Sequence, residues 1–314
     1  MPPETTSQTG GAAPSGPLQY EITWKILHRC NYRCTYCPYT LGGQWEELTR
    51  SDRFAPLEQW LEAWERIGRQ CGPARIVITG GEPFCYPNFT DLVAALTRLH
   101  HVDITTNLSQ PLPWLREFAS RVRADRVVLA TTFHPEFAEL ADFTAKVRLV
   151  REAGMEHKIY LVCYPPLLPK LELACQELRR EGFRVITTPF RGTYQGQEYP
   201  RSYDPEHKSR IAAMGGALES DQAWVSQQMA AINPQGRLCH AGQYYLCVYN
   251  DGNVWRCGEY AGYGRLPPMG NLLDPGFRLW REPKPCEVTR CGCEWRFLEE
   301  FYSKSLPAPD TRPS

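Results

Sequence analysis

The chain has 314 residues, 42% of them hydrophobic and 12% aromatic, which is enough to bury one large domain or a domain with an appendage. Its 35 basic side chains balance its 35 acidic ones, so no overall field draws it to nucleic acid or to an anionic membrane. No apolar run is long enough to cross a bilayer and the opening residues lack the basic and apolar regions of a signal peptide, so a cytoplasmic protein is expected.

Residues 1–17, rich in proline, glycine, serine and threonine, read as a disordered tail. From residue 18 onward, short runs rich in β-branched residues alternate with amphipathic segments. Strands are predicted over 20–27, 75–79, 102–106, 126–131, 158–163 and 184–188. Between them, Leu57, Trp60, Leu61, Trp64 and Ile67 form one helical stripe behind a helix-starting Pro56. Similar stripes run through Leu92, Val93 and Leu96, and through Phe137, Leu140, Val147 and Val150.

Repeated strand-then-helix units require parallel strands joined by right-handed crossovers. The expected fold is therefore α/β, a partial (β/α)6 parallel barrel over 18–193, with ligand chemistry at the carboxyl ends of its strands. Residues 194–235 read as a polar, partly helical connector, 236–305 as a small cysteine-rich β-hairpin/helix extension, and 306–314 as a second tail. In the extension, residues 244–257 read as a hairpin, because Asn250-Asp251-Gly252 can supply the positive φ angles of a tight turn.

Thirteen cysteines are too many for a reducing compartment unless they serve metal or catalysis, and they cluster at 30–37 and 239–293. Cys71 and Cys175 fall within helical patterns and read as small buried apolar side chains. Cys30, Cys34 and Cys37 follow the first strand, which presents three thiolates from one loop at the barrel mouth. Thiolates are the usual ligands of iron–sulfur clusters, and three of them leave one iron of a cubane open to a cosubstrate. A zinc site completed by a histidine is the alternative at this point.

The Cys30-x3-Cys34-x2-Cys37 spacing resembles the signature of the radical S-adenosylmethionine superfamily. One βα unit later, Thr79-Gly80-Gly81-Glu82-Pro83 resembles the Gly-Gly-Glu-Pro segment with which that family binds the methionine amino group. Two glycines let a backbone approach a ligand closely, and a carboxylate suits an ammonium. The resemblance covers about residues 20–190 and implies a catalytic [4Fe–4S] cluster on Cys30, Cys34 and Cys37. It further implies S-adenosylmethionine held by Gly80, Gly81, Glu82 and Pro83, with Tyr36 against the adenine and Thr106, Asn107, Thr132 and His134 holding the ribose or carboxylate. Strand ends are often polar for solvation alone, so His134 also reads as an ordinary surface histidine. In that family reductive cleavage of the sulfonium yields a 5′-deoxyadenosyl radical, which takes a hydrogen atom from substrate; the cofactor supplies the hard chemistry.

Further along, Cys239-x12-Gly252-x4-Cys257 resembles the opening of the twitch and SPASM extensions. This implies an auxiliary [4Fe–4S] cluster on Cys239 and Cys257 with two more ligands drawn from Cys286, Cys291 and Cys293. A zinc-stapled hairpin would use the same thiolates. The cysteine run is shorter than a full SPASM pattern, which implies one auxiliary cluster. Cys247 has three readings: a further ligand, a packed apolar residue, or a free thiol near substrate.

The resulting expectation is a radical dehydrogenation or related net oxidation of a small polar metabolite, driven by a reductant such as flavodoxin or ferredoxin, with no nucleic-acid or membrane partner. Arg191, Tyr194, His134 and Glu136 are the expected polar lining for that ligand. Epimerisation with Cys247, Cys85 or Cys163 returning a hydrogen atom is the nearest rival. Maturation of a ribosomal peptide is a third reading, disfavoured by the short leader, and a non-catalytic metal-binding interaction protein is the alternative of another class.

Overall fold

The computed structural model of the protein describes residues 20–215, 233–258, 260, 266–289 and 291. Both expected tails and Cys293 lie outside the described residues. Along β1 (Glu21–Leu27) side chains alternate between two faces, as a strand demands. Ile22, Trp24 and Ile26 are buried, with Trp24 packed on Trp60 and Trp64 of a helix, while Thr23 and Lys25 turn toward the opposite, inner face.

After β1 come two short helices, α1 (Pro38–Leu41) and α2 (Trp45–Arg50), then α3 (Leu57–Cys71). The repeating units follow: β2 (Arg75–Gly80), α4 (Phe89–Leu96), β3 (His101–Thr106), α5 (Leu112–Arg121), β4 (Val127–Thr132), α6 (Leu140–Glu152), β5 (Glu156–Cys163), α7 (Leu168–Arg180) and β6 (Val185–Pro189). Each strand lies within two residues of its predicted bounds, because the β-branched runs and the helical stripes place the same burial demands in space as in sequence. Phe137 is an exception to the third stripe: it precedes α6, is 46% exposed, and stacks on Tyr32.

The connector begins with a hairpin, β7 (Gly192–Tyr194) and β8 (Gln197–Tyr199), which straddles the expected boundary at residue 193, and continues into α8 (Pro205–Ala213). The remaining strands are β9 (Leu238–Cys239), β10 (Tyr245–Tyr249), β11 (Asn253–Trp255), β12 (Gly270–Asn271) and β13 (Lys284–Pro285).

The main sheet runs β12-β11-β10-β1-β2-β3-β4-β5-β6, with β1 through β6 parallel, an open partial barrel wrapped by helices. The expected hairpin exists as β10 and β11, with Gly252 alone taking the positive φ, 83°. Its place in the sheet was not visible in the sequence. β10 adds parallel to β1, setting Cys247 opposite Thr23 and Tyr249 opposite Lys25, so the extension continues the barrel sheet. The physical reason is that β1 would otherwise be an edge with a row of unpaired backbone groups.

Trp24, Trp60 and Trp64 are fully buried, with Trp24 in contact with both of the others. Trp24→Ala is expected to cost about 3–5 kcal/mol of stability, in the range of large-to-small core changes, as read by denaturant unfolding. Among the described residues no helix is long and apolar enough to cross a membrane.

Candidate active site

A cavity of about 330 Å³ opens at the carboxyl ends of the strands. Cys30, Cys34, Cys37, Tyr36, Gly80, Gly81, Glu82, Thr106, Asn107, Thr132 and His134 all line it, as does Arg191. Of the residues assigned to the cluster and to S-adenosylmethionine, Pro83 is the one not on the wall, being buried at the start of the Pro83–Cys85 turn; of the expected substrate lining, Arg191 and His134 are on the wall and Tyr194 and Glu136 are not. A second cavity of about 390 Å³ lies deeper in the barrel and shares Thr105, Thr132, Val162 and Thr188 with the first. Its wall carries Arg75, Asp103, Lys158 and Tyr160, so the lumen is polar to its floor.

The cysteine loop is pinned from several sides. From β2, Gly81 N donates to Leu27 O and Glu82 N to Arg29 O, both at 2.9 Å. Gly80 has φ 137°, and a Cβ on Gly81 would overlap the carbonyl oxygens of His28 and Arg29. The close approach that the two glycines permit is thus to the chain's own cysteine loop, where ligand contact alone was expected. From β3, the Asn107 amide donates to Asn31 Oδ1 at 2.9 Å, and Asn31 donates to Ser109 Oγ at 2.8 Å. From β4, Glu136 accepts from Thr35 N at 3.0 Å and Thr35 Oγ1 at 2.6 Å, so this carboxylate serves the loop. His134 Nδ1 lies 2.7 Å from Tyr36 Oη and 3.3 Å from Cys34 Sγ, with the Tyr36 ring stacked on its imidazole. Burial pushes His134 down to about 4, so its ring is neutral at physiological pH. It is a half-buried loop-holder on the cavity wall.

Glu82 is buried and accepts three hydrogen bonds, from Phe84 N (2.9 Å), Thr106 Oγ1 (2.7 Å) and Asn107 N (2.6 Å). Burial outweighs these bonds and pushes its carboxyl up to about 7, above its ordinary 4.5. The protonated form therefore favours the folded chain, by an amount full below about pH 4.5 and lost as pH rises through about 7. Glu82→Gln mimics the neutral form, so the melting temperature of the metal-free wild type relative to this variant should fall between pH 5 and 7.5, and a flat difference would contradict the shift.

Burial pushes the Cys30 thiol up to about 11 and Cys34 up to about 12. Both are protonated at neutral pH without metal, and ligation must release those protons. The donor set suits an iron–sulfur cluster: three free thiols from one loop, facing one cavity. Among the described residues no three His, Cys, Asp or Glu side chains stand so as to hold a single metal ion.

A second thiol group forms in the extension. Cys239, Cys257 and Cys286 are buried in one cluster with Ala241, Val288 and Tyr260, and Cys291, also buried, is in electrostatic contact with Cys239 and Cys286. Pairing of β9 with β13 and the bond from Cys286 N to Arg237 O (2.9 Å) bring the two cysteine segments together. Cys247 stands apart, buried on β10 with its neighbours Thr23 and Lys25 on the inner face, and does not line the upper cavity. Burial pushes its thiol up to about 11.

Residues 24–166 match the family model described as the radical SAM superfamily. Residues 24–166 are a radical SAM domain. A GTP 3',8-cyclase 2 of Pseudomonas aeruginosa is 34% identical to it over 164 residues, 47% of this chain and 46% of that protein. A GTP 3',8-cyclase of Rhodopseudomonas palustris is 30% identical over 176 residues, 50% of this chain and 48% of that protein. The chain thus spans about half the length of the curated relatives it matches. Among solved structures, Streptococcus suis SuiB bound to S-adenosylmethionine superposes with a TM-score of 0.55 at 13% identity, over 82% of this chain and 64% of that one. The anSMEcpe structure with bound AdoMet gives 0.55 at 14% identity, over 82% and 78%. At such identities the likeness is one of fold.

The radical SAM domain also uses residues that motif reading missed. Asp52 is buried and accepts from His28 N (2.7 Å), Arg29 N (2.9 Å), His28 Nδ1 (3.0 Å) and Asn250 Nδ2 (2.7 Å). Burial alone would raise its carboxyl, but the hydrogen bonds from His28 and Arg29 hold it below its usual value. One side chain thereby ties the cysteine loop of the radical SAM domain to the turn of the C-terminal hairpin. A lone aspartate between two helical patterns carries no sequence signal for that role. Lys25, whose amine donates to Tyr249 Oη at 2.9 Å, was hidden inside a strand pattern.

Proposed function

We propose that this protein binds a [4Fe–4S] cluster on Cys30, Cys34 and Cys37, cleaves S-adenosylmethionine reductively, and oxidises a small polar metabolite by hydrogen-atom abstraction. The observation that carries this reading is the convergence of the three thiols, Gly80, Gly81, Glu82, Thr106, Asn107, Thr132 and His134 on one cavity above a polar lumen. When bound, the reduced cluster with S-adenosylmethionine supplies a 5′-deoxyadenosyl radical, and an auxiliary cluster on Cys239, Cys257, Cys286 and Cys291 supplies an acceptor for the electron left on substrate.

The chain's own residues orient and shield. Tyr36, 5% exposed between His134 and Tyr164, offers a fixed ring at the cavity wall for the adenine. Glu82, by accepting from Thr106 and Asn107, locks the ends of β2 and β3 so that their polar groups keep their place beside the ligand. Arg191 at the cavity and the Arg75, Asp103, Lys158 and Tyr160 side chains beneath it favour a ligand with polar groups. The electron donor is a reductant of the flavodoxin or ferredoxin kind. The curated relatives are named for GTP cyclisation, and a nucleotide is one member of the polar ligand class that this lumen suits.

The test is anaerobic incubation of reconstituted, reduced protein with candidate polar metabolites, scoring 5′-deoxyadenosine and product mass together. Product lighter by two hydrogens, with equimolar 5′-deoxyadenosine, supports dehydrogenation; 5′-deoxyadenosine with no change in substrate oxidation state overturns it. Cys247 on the inner face favours one second reading, epimerisation, in which its thiol returns the hydrogen atom. Solvent deuterium at a single inverted carbon, lost in Cys247→Ser, would distinguish that outcome.

A further inference from the structure

Arg256 is 3% exposed, next to Cys257 in the chain and in electrostatic contact with Cys239 and Cys286. Its guanidinium donates to Pro285 O (2.8 Å), Lys284 O (2.9 Å), Cys239 O (3.1 Å) and Tyr260 Oη (3.2 Å). These acceptors come from both cysteine-bearing segments, so one planar fork clamps β9 to β13. Tyr260 and Trp280 rings lie 5.0 and 5.1 Å from the guanidinium carbon. Two features are left over. The Nε donor is buried with no partner, and among the described residues no carboxylate lies against the cation.

A fixed positive charge out of water is strongly unfavourable unless an anion faces it, and neutral carbonyls satisfy its protons without cancelling its charge. Ring faces contribute only part. Among the described residues, the ionisable groups in electrostatic contact with Arg256 are the Cys239 and Cys286 sulfurs and the Tyr260 phenol, which burial keeps neutral. Four thiolates around a [4Fe–4S]2+ core carry a net charge of about −2, which complements a single buried cation; four neutral thiols do not.

We propose that Arg256 is the built-in counter-ion and positioning residue of the C-terminal metal centre, clamping its two cysteine segments and holding a net-anionic iron–sulfur cluster at a raised reduction potential. This rests on the auxiliary-cluster reading above and assigns it a charge partner. A buried positive charge nearby favours the reduced, more negative cluster, which suits an electron acceptor.

The test uses the full chain with Cys30, Cys34 and Cys37 all changed to alanine, so that only the C-terminal centre can hold iron. After anaerobic reconstitution, iron and sulfide content, the midpoint potential and the rate of iron loss to a chelator are measured. Arg256→Met should shift the potential to more negative values and accelerate iron loss by about ten- to a hundredfold, the usual range for groups behind metal ligands. Arg256→Lys, which keeps the charge and loses the fork, should lose iron faster with its potential near that of the parent. Arg256→Gln, an uncharged donor, gives the same potential readout should Arg256→Met fail to hold iron. An unmoved potential in the uncharged variants overturns the counter-ion role and leaves the cluster standing. A parent protein that holds no iron, or holds zinc alone, overturns the auxiliary-cluster reading and the proposal with it.

Discussion

Changing Cys30, Cys34 or Cys37 singly to alanine should abolish formation of 5′-deoxyadenosine from S-adenosylmethionine, with far-ultraviolet circular dichroism unchanged. The three thiols sit on a loop that backbone and side-chain bonds from β2, β3 and β4 hold in place without them, so removing one sulfur leaves the fold its supports. Two thiols cannot grip a cubane that already has one open corner, so iron in these variants should fall to what the C-terminal centre retains. The measurement is 5′-deoxyadenosine by chromatography under anaerobic, reducing conditions, alongside iron and sulfide analysis. Wild-type rates from any one variant would refute the assignment of that thiol.

Gly81→Ala should be nearly as damaging, although it touches no thiol. A Cβ there overlaps the carbonyls of His28 and Arg29, and neither carbonyl is free to retreat, because the N–H groups of both residues are held by Asp52 at 2.7 and 2.9 Å. Either the end of β2 or the cysteine loop must move by about an ångström, and a displacement of that size at a reacting centre costs about a hundredfold in rate. Overpacking of this kind also costs about 1–3 kcal/mol of stability. Rates of 5′-deoxyadenosine formation normalised to bound iron separate the two effects. A normalised rate within a few-fold of wild type would mean that the glycine serves the ligand and not the loop.

Much of the site was legible because its chemistry lies in short local patterns. The cysteine triad sits on one loop, the Gly-Gly-Glu run on one turn, and the strands ending at Thr106 and Thr132 carry their own burial periodicity. What was not legible is how these residues are used. Glu136 and His134 were read as facing a ligand; Glu136 holds Thr35, and His134, which lines the cavity, also holds Tyr36 and Cys34. Asp52 carried no motif, yet it joins His28, Arg29 and Asn250 across 198 residues of sequence.

By itself, the order of residues determined the parallel α/β barrel, its six strands and the loop that bears three thiols, because strand alternation, helical stripes and metal-ligand spacing are local demands that neighbouring residues meet. Only the tertiary structure decided that β10 would complete the sheet beside β1, that two glycines would seat the cysteine loop, and that Arg256 would be buried beside Cys239 and Cys286 with no carboxylate against it among the described residues. Those outcomes depend on which distant backbone edges and buried charges find partners, and such pairing is settled by packing across the whole chain.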